Sequence, residues 1–377
     1  MKTTDLVGSH IENLKPYVPG KPIDELKREL GVTDPIKLAS NENPLGPSPK
    51  AVEAMELALR GAHYYPDGAA HDMVEAISAF HDLPSGEIIT GNGSDEVLTM
   101  AVRTFCEAGR DSAVISKHSF AAYGIRCQSH NLEIRWVPTT QELGYDLEAM
   151  AQAIDETTKI VFIANPNNPT GTYVGADELR HFLRSVPDHV VVLVDEAYHQ
   201  YVEADDYETA LSMRDEHERF IVTRTLSKCY GLAGVRAGYG ISTPEMINRM
   251  NRVREPFNCN SLAQVALPAA LSDREFVQRS VAVNRRSRAI LEAGLEDLAP
   301  LGVDWIASET NFLLVQMPLP GRGIYDELLQ QGVIVRPMDG YGLPMWLRIS
   351  LGKEEEMKRC VKALHEVLQD VGNEVIR

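Results

Sequence analysis

The sequence predicts an α/β fold, in which a mainly parallel sheet is covered by helices on both faces and a smaller α+β unit follows. Three observations predict it. Short apolar, β-branched runs recur at Ile88-Ile89-Thr90, Ala113-Val114-Ile115, Ile160 to Ala164, Val190 to Val194 and Phe220 to Thr223. They are continuous rather than alternating, as strands buried on both faces must be. Helical segments separate them, which is the order of a parallel sheet. After about residue 255 the texture changes, with a long helical stretch from Asp273 to Leu298 and strand-like segments beyond it.

Taken in order, residues 1–45 read as an arm. Pro16, Pro19, Pro22, Pro35 and Pro44 surround one short helix, Ile23 to Leu30. Such an arm has little core of its own and must lie across something, a second subunit included. Residues 46–255 form the expected large domain. Ser48-Pro49 places a cap before a proline at the first helical position, and Ala51 to Arg60 continues the helix. A second helix covers His71 to His81. After Ile88-Ile89-Thr90 the chain turns at Gly91-Asn92-Gly93. A helix then opens at Ser94, with Val97, Leu98, Ala101, Val102 and Phe105 at helical spacing. Residues 256–377 form the expected small domain, with strands at Asn311 to Val315, Val333 to Arg336 and Leu347 to Ser350. A final amphipathic helix runs from Glu354 to about Leu368.

The chain has 377 residues, more than one ordinary core requires. The formal net charge of −17 argues against nucleic acid as a partner, because no general positive field attracts phosphate backbones. Five cysteines, none in a CxxC pair, fit a reducing compartment and make the cytoplasm the expected location. Cys229, beside Lys228, is expected to be a passive neighbour. The eleven histidines lack HExxH-type spacing, so no metal site is expected. No signal peptide is read in the polar N-terminus, and no run reaches the roughly 18 apolar residues of a membrane helix.

Four motifs lie just after strands, where ligands bind in open α/β sheets. Gly91-Asn92-Gly93-Ser94-Asp95-Glu96 puts small residues before a helix N-terminus, whose free N–H groups suit phosphate. Glu96 stands where a dinucleotide fingerprint needs its last glycine, so a nicotinamide dehydrogenase is disfavoured. Asn165-Pro166-Asn167-Asn168-Pro169-Thr170-Gly171 is a rigid turn rich in side-chain amides. Asp195-Glu196-Ala197-Tyr198 ends a buried strand, where a carboxylate is costly without a cationic partner. Thr225-Leu226-Ser227-Lys228 places a lysine among small and apolar residues, which lowers its pKa and sharpens the amine as a nucleophile. Arg236 follows eight residues later.

Together these motifs resemble the fold-type I pyridoxal-phosphate aminotransferases, and within them the histidinol-phosphate aminotransferase family. The resemblance covers nearly the whole chain. It includes Tyr17-Val18-Pro19-Gly20-Lys21-Pro22, Leu38-Ala39-Ser40-Asn41-Glu42-Asn43-Pro44, Tyr64-Tyr65-Pro66-Asp67, Ser227-Lys228 and Leu347-Arg348-Ile349-Ser350. It implies an aspartate-aminotransferase-like large domain that binds pyridoxal 5′-phosphate, and a homodimer.

The resemblance also implies roles. Lys228 holds the cofactor covalently and later moves the proton. Asp195 pairs with the protonated pyridine nitrogen, and Asn168 and Tyr198 contact the phenolic oxygen. Gly93, Ser94 and Asp95 hold the phosphate, with Thr225, Ser227 and Arg236. Phe120 stacks on the ring, and Tyr65 reaches the phosphate from the neighbouring subunit. Arg348 grips the substrate carboxylate, Arg336 helps with a second anion, and Tyr17 and the segment Asn41-Glu42-Asn43, Asn43 above all, close over the substrate pocket. The implied reaction moves an amino group from histidinol phosphate to 2-oxoglutarate. An aromatic amino-acid aminotransferase and a threonine-phosphate decarboxylase-like lyase remain as alternatives. A transcription regulator with an aminotransferase-like domain is disfavoured by the acidic charge and the short segment before the scaffold.

Overall fold

The computed structural model describes residues 6–375. Strand β1 (Ile36–Lys37) stands apart from the main sheet. That sheet is built from β2 (Ile88–Asn92), β3 (Ser112–Ser116), β4 (Glu133–Val137), β5 (Thr158–Ala164), β6 (Val191–Asp195), β7 (Phe220–Thr225) and β8 (Ala237–Ile241). Their order is β2-β8-β7-β6-β5-β3-β4. β8 runs antiparallel to both neighbours, and every other pair is parallel. β2 therefore points the same way as β7, and the carboxyl ends of β2, β5, β6 and β7 share one edge.

The central strands bury both faces. Ile160, Phe162, Leu193 and Ile221 join Val97, Leu98 and Ala101 of the helix Ser94–Phe105 in one core. Val161, Ile163, Val192, Val194 and Val222 join Leu179, Phe182 and Leu183 of the helix Ala176–Ser185 in the other. Each such aliphatic side chain contributes about 1.5–3 kcal/mol when fully buried. This two-sided demand makes the runs continuous in sequence.

The second sheet is antiparallel. Its strands are β9 (Asp304–Ile306), β10 (Phe312–Gln316), β12 (Arg336–Pro337) and β13 (Trp346–Ser350), in the order β12-β13-β10-β9. The remaining strand, β11 (Val333–Ile334), pairs in parallel with β1. Leu26, Ile36 and Leu38 of the arm share a core with Leu328, Ile349 and Leu364. The arm therefore lies across the smaller unit of its own chain.

The packing does not break at residue 255. Ala263, Ala266 and Leu267, on the helix Ser261–Leu271, pack with Ala51, Met73 and Ile77 beside the main sheet. That helix belongs with the large unit, because its small-residue face fits the two helices of Ala51 and Met73. The last helix runs on to Val375, beyond the expected end near Leu368. β8 was not foreseen, because Gly238 and Gly240 interrupt its apolar pattern. A Cβ on Gly238 would lie 2.3 Å from the Ser94 nitrogen, and one on Gly240 would lie 2.6 Å from Val97. These glycines let the helix Ser94–Phe105 sit directly on the sheet.

Candidate active site

A cavity of about 310 Å³ opens at the shared strand edge, large enough for a small phosphorylated ring. The register brings its parts together. Ala164 pairs with Asp195 across β5 and β6, and Asp195 pairs with Thr223 across β6 and β7. Asp195, Tyr198, Thr225, Ser227, Lys228 and Arg348 all line the cavity, as do Asn168, Phe120 and Tyr17.

The Asp195 carboxylate is 4% exposed. It accepts hydrogen bonds from Tyr123 Oη at 2.9 Å and Thr223 Oγ1 at 3.0 Å. No cation pairs with it among the described residues. Burial therefore prevails over the two hydroxyls, and its pKa is pushed up to about 6. The adjacent Glu196 has the opposite fate. It forms a buried ion pair with Arg224 at 2.7 Å and accepts from Thr209, Tyr207 and the Ala210 N–H. Burial works against its charge, but Arg224 and these donors hold its pKa below the usual carboxylate value. Of the two carboxylates, only Asp195 is left to face a cation in the cavity.

Lys228 Nζ donates to the Ser40 carbonyl at 3.2 Å and lies 5.6 Å from the centre of the Tyr198 ring. Burial, then the nearby Arg348 charge, push its pKa down to about 8. The neighbouring Cys229 thiol is buried and pushed up to about 12 by that burial, so it stays protonated and passive.

An anion cradle lies at the other end of the cavity. Gly93 precedes the twelve-residue helix Ser94–Phe105, with φ 75° and no side-chain cap on its first turn. The first backbone N–H groups of this helix are thus free for an anion. A Cβ on Gly93 would lie 2.5 Å from Arg236 Nη2, so only glycine lets this guanidinium rest against the turn. Arg236 Nη1 reaches Ser227 Oγ at 3.4 Å, and Thr225 Oγ1 donates to Ser227 Oγ at 2.9 Å. Asp95 sits between two cations, 3.7 Å from Arg236 and 3.5 Å from Arg126.

Between acid and cradle, Phe120 supplies an aromatic wall, packed edge-on against Tyr123. Tyr123 in turn stacks on Phe162 at 4.9 Å. A buried acid, a lysine amine of lowered pKa, an aromatic wall and a phosphate cradle together suit a planar phosphorylated ring. Such a ring would carry a basic nitrogen and an aldehyde.

Arg348 is a second candidate for holding an anion. It is 5% exposed, and its guanidinium donates to Asn168 Oδ1 at 2.6 Å and the Ala39 carbonyl at 2.8 Å. Its Nε is buried without a partner, and no carboxylate pairs with it among the described residues. Arg336 stands opposite Arg348 in the β12–β13 register. Arg336 does not line the cavity itself. It donates to the Val18 carbonyl and lies over the Tyr17 ring, 5.5 Å from its centre.

One expected residue falls elsewhere. Asn43 does not face the substrate pocket. Its amide donates to the Cys229 carbonyl at 2.7 Å and Ser280 Oγ at 2.8 Å, tying down the loop behind the lysine. Asn41, two residues earlier, lines the cavity instead. Tyr65 lies outside its own chain's cavity; it is 81% exposed and stacks on Phe257 at 4.7 Å.

Sequence reasoning missed Tyr123, Thr223 and Arg126. Helical spacing from Phe120 could have flagged Tyr123, and strand alternation from Thr225 could have flagged Thr223. Of the three asparagines in the amide-rich turn, only Asn168 lines the cavity. Asn165 bonds the backbone of Val174, and Asn167 bonds the His118 carbonyl and Thr170.

Comparison with known proteins agrees with this geometry. The family profile for aminotransferase class I and II matches residues 33–364. Histidinol-phosphate aminotransferase 1 of Nitrosococcus oceani is 44% identical over 365 residues, covering 97% of each chain. Histidinol-phosphate aminotransferase 2 of Pseudomonas fluorescens is 46% identical over 361 residues, covering 95% of this chain and 96% of that protein. The histidinol-phosphate aminotransferase of Sinorhizobium meliloti, solved in complex with pyridoxal-5′-phosphate, superposes with a TM-score of 0.86. It is 27% identical, over 97% of this chain and 98% of its own. The aspartate aminotransferase of Thermus thermophilus, 22% identical with a TM-score of 0.82 over 96% of this chain and 99% of its own, shares the fold.

Proposed function

The chain belongs to the class I and II aminotransferases and, within them, to the histidinol-phosphate aminotransferase family, and from that premise we propose that it transfers an amino group from histidinol phosphate to 2-oxoglutarate with pyridoxal phosphate. The observation that carries the proposal is the convergence of Lys228, Asp195 and Arg348 on one cavity. When bound, pyridoxal phosphate supplies a carbonyl that condenses with amines and a ring that draws electron density from the substrate α-carbon.

This chain's residues supply the rest. Lys228, whose amine is neutral in an appreciable fraction at pH 7–8, anchors the cofactor. With the cofactor bound, its free amine would carry the proton to and from the substrate α-carbon. Asp195 holds the proton on the ring nitrogen, a charge-assisted bond worth about 1.5–3 kcal/mol. Tyr198 and Asn168 would hold the phenolic oxygen, and Phe120 would cover the ring. The turn Gly93-Ser94-Asp95, with Thr225, Ser227 and Arg236, holds the phosphate.

Arg348, with Arg336 beside it, serves two anions in turn. Histidinol phosphate has no carboxylate, so its phosphate takes the guanidinium in one half-reaction. The carboxylate of glutamate or 2-oxoglutarate takes it in the other. Tyr17 and the arm cover this end. The exposed Tyr65 supports a homodimer in which it reaches the phosphate of the neighbouring subunit. Five free, buried cysteines fit a cytoplasmic setting. Among the described residues no helix is long and apolar enough to cross a membrane, and the charge of −17 speaks against nucleic acid.

The test is a comparison of kcat/KM for histidinol phosphate with that for phenylalanine and tyrosine, each with 2-oxoglutarate as acceptor. Histidinol phosphate should be preferred. Preference for the free aromatic acids, or release of carbon dioxide without amino transfer, would overturn the proposal.

A further inference from the structure

Asn41 connects the small sheet to the cavity through a set of hydrogen bonds that fixes the orientation of its amide. It is 1% exposed and holds φ at 56°, a left-handed conformation that asparagine tolerates better than most residues. Its backbone N–H donates to Ser350 Oγ at 2.9 Å. Ser350 has a single hydroxyl proton, and that proton goes to Asn41 Oδ1 at 2.8 Å. The Asn41 carbonyl accepts from Asn311 Nδ2 at 3.0 Å. A flipped amide could donate Nδ2 to Ser350 Oγ, but the buried Ser350 proton would then lose its acceptor; the arrangement with Oδ1 on Ser350 and Nδ2 toward Tyr198 satisfies both groups. Nδ2 donates to the Tyr198 hydroxyl at 3.0 Å.

This direction has a consequence for Tyr198. A phenol can both accept and donate. Had the amide presented Oδ1, the Tyr198 proton would turn back toward Asn41. Because Nδ2 is presented, the Tyr198 oxygen accepts there and its proton is left for the cavity. We propose that Asn41 is a positioning residue that points the Tyr198 hydroxyl proton at the phenolic oxygen of bound pyridoxal phosphate. The proposal rests on the reading that this cavity takes that cofactor with its phenolic oxygen beside Tyr198. A proton aimed there stabilises the anionic oxygen and lowers the pH at which the loaded enzyme's visible absorbance band titrates.

The experiment follows that pH midpoint in the loaded enzyme. Asn41→Asp keeps the shape but replaces the donor with an acceptor, so Tyr198 should donate to Asp and leave the cofactor. Asn41→Gly keeps the left-handed backbone and removes the amide, which protects folding. The midpoint should rise by about one pH unit in N41D, the size of one net hydrogen bond, and by less in N41G. Tyr198→Phe is the control. It should raise the midpoint by itself, and N41D should add nothing further in that background. Two outcomes overturn the idea in distinguishable ways. If Y198F moves the midpoint but N41D and N41G stay within about 0.2 units of wild type, the positioning role fails and the cofactor reading stands. If Y198F also leaves it unmoved, Tyr198 does not face the phenolic oxygen and both fall.

Discussion

Replacing Asp195 with Asn should stabilise the cofactor-free protein while disabling the chemistry. In the folded chain the Asp195 pKa is about 6, against 3.8 ordinarily, chiefly because burial disfavours the charge. Between these values the folded state keeps a proton that the unfolded state has released. Stability therefore falls as pH rises through this window and levels off above about 6. Two units at about 1.4 kcal/mol each give roughly 3 kcal/mol of destabilisation at pH 7. Asn carries no charge and escapes that cost. It serves the hydroxyls of Tyr123 and Thr223 less well, a loss of about 1 kcal/mol. The net expectation is a D195N apoenzyme about 2 kcal/mol more stable than wild type at pH 7–8, with the advantage shrinking toward pH 4.5. Denaturant unfolding of both apoenzymes across pH 4.5–8 measures it. If D195N is no more stable at pH 7, or the difference does not change with pH, the buried acid is not paying an electrostatic cost. In the loaded enzymes the order should reverse, because only the carboxylate can pair with a protonated ring nitrogen.

Three further outcomes follow from the site. Lys228→Ala should leave the cofactor held non-covalently and lower turnover by orders of magnitude; borohydride should then fix no label on the protein. Arg348→Lys keeps the charge but loses the planar fork, so kcat/KM should fall on the order of 100-fold, about 3 kcal/mol. A change of only a few-fold would remove Arg348 from anion binding. Arg126→Met deletes one of the two cations flanking Asp95, so retention of pyridoxamine phosphate, which lacks the covalent link, should weaken by about tenfold in equilibrium dialysis. An unchanged dissociation constant would confine Arg126 to a structural role.

What was legible in sequence is what local physics dictates. Buried parallel strands must be continuous and apolar, so β3, β5, β6 and β7 were readable. β8 was hidden because Gly238 and Gly240 are demanded by a helix that packs on them from elsewhere in the chain. The edge strand β4, Glu133–Val137, was hidden because it is only partly buried and carries Glu and Arg. Lys228, Asp195 and Arg348 were visible through a chain-wide resemblance, and the cavity they line depends on register. Roles that depend on which way a side chain turns were not visible. Asn41 and Asn43 share a motif and differ by two residues, yet one faces Tyr198 and the other ties down the loop behind Lys228. No local pattern distinguishes them, because Ser350 and Ser280, their respective partners, are hundreds of residues away.

The Arg336–Arg348 pair supports the proposal that one site takes both a phosphate and a carboxylate. Like charges directly opposite on adjacent strands repel. The chain could have relieved this with a carboxylate, but among the described residues it does not. Arg348 rests on an amide oxygen and a carbonyl, and Arg336 rests on a carbonyl and the Tyr17 ring. Neutral acceptors orient the two guanidinium groups without cancelling their charge. The uncancelled charge also reaches Arg348 itself, whose pKa is lowered first by burial and further by Arg336. An entering anion therefore relieves a repulsion built into the pair itself. A phosphate carrying close to two charges relieves more of it than a single carboxylate. The same pair should then hold the phosphate of the donor more tightly than the carboxylate of the acceptor, and replacing Arg336 with Met should narrow that difference.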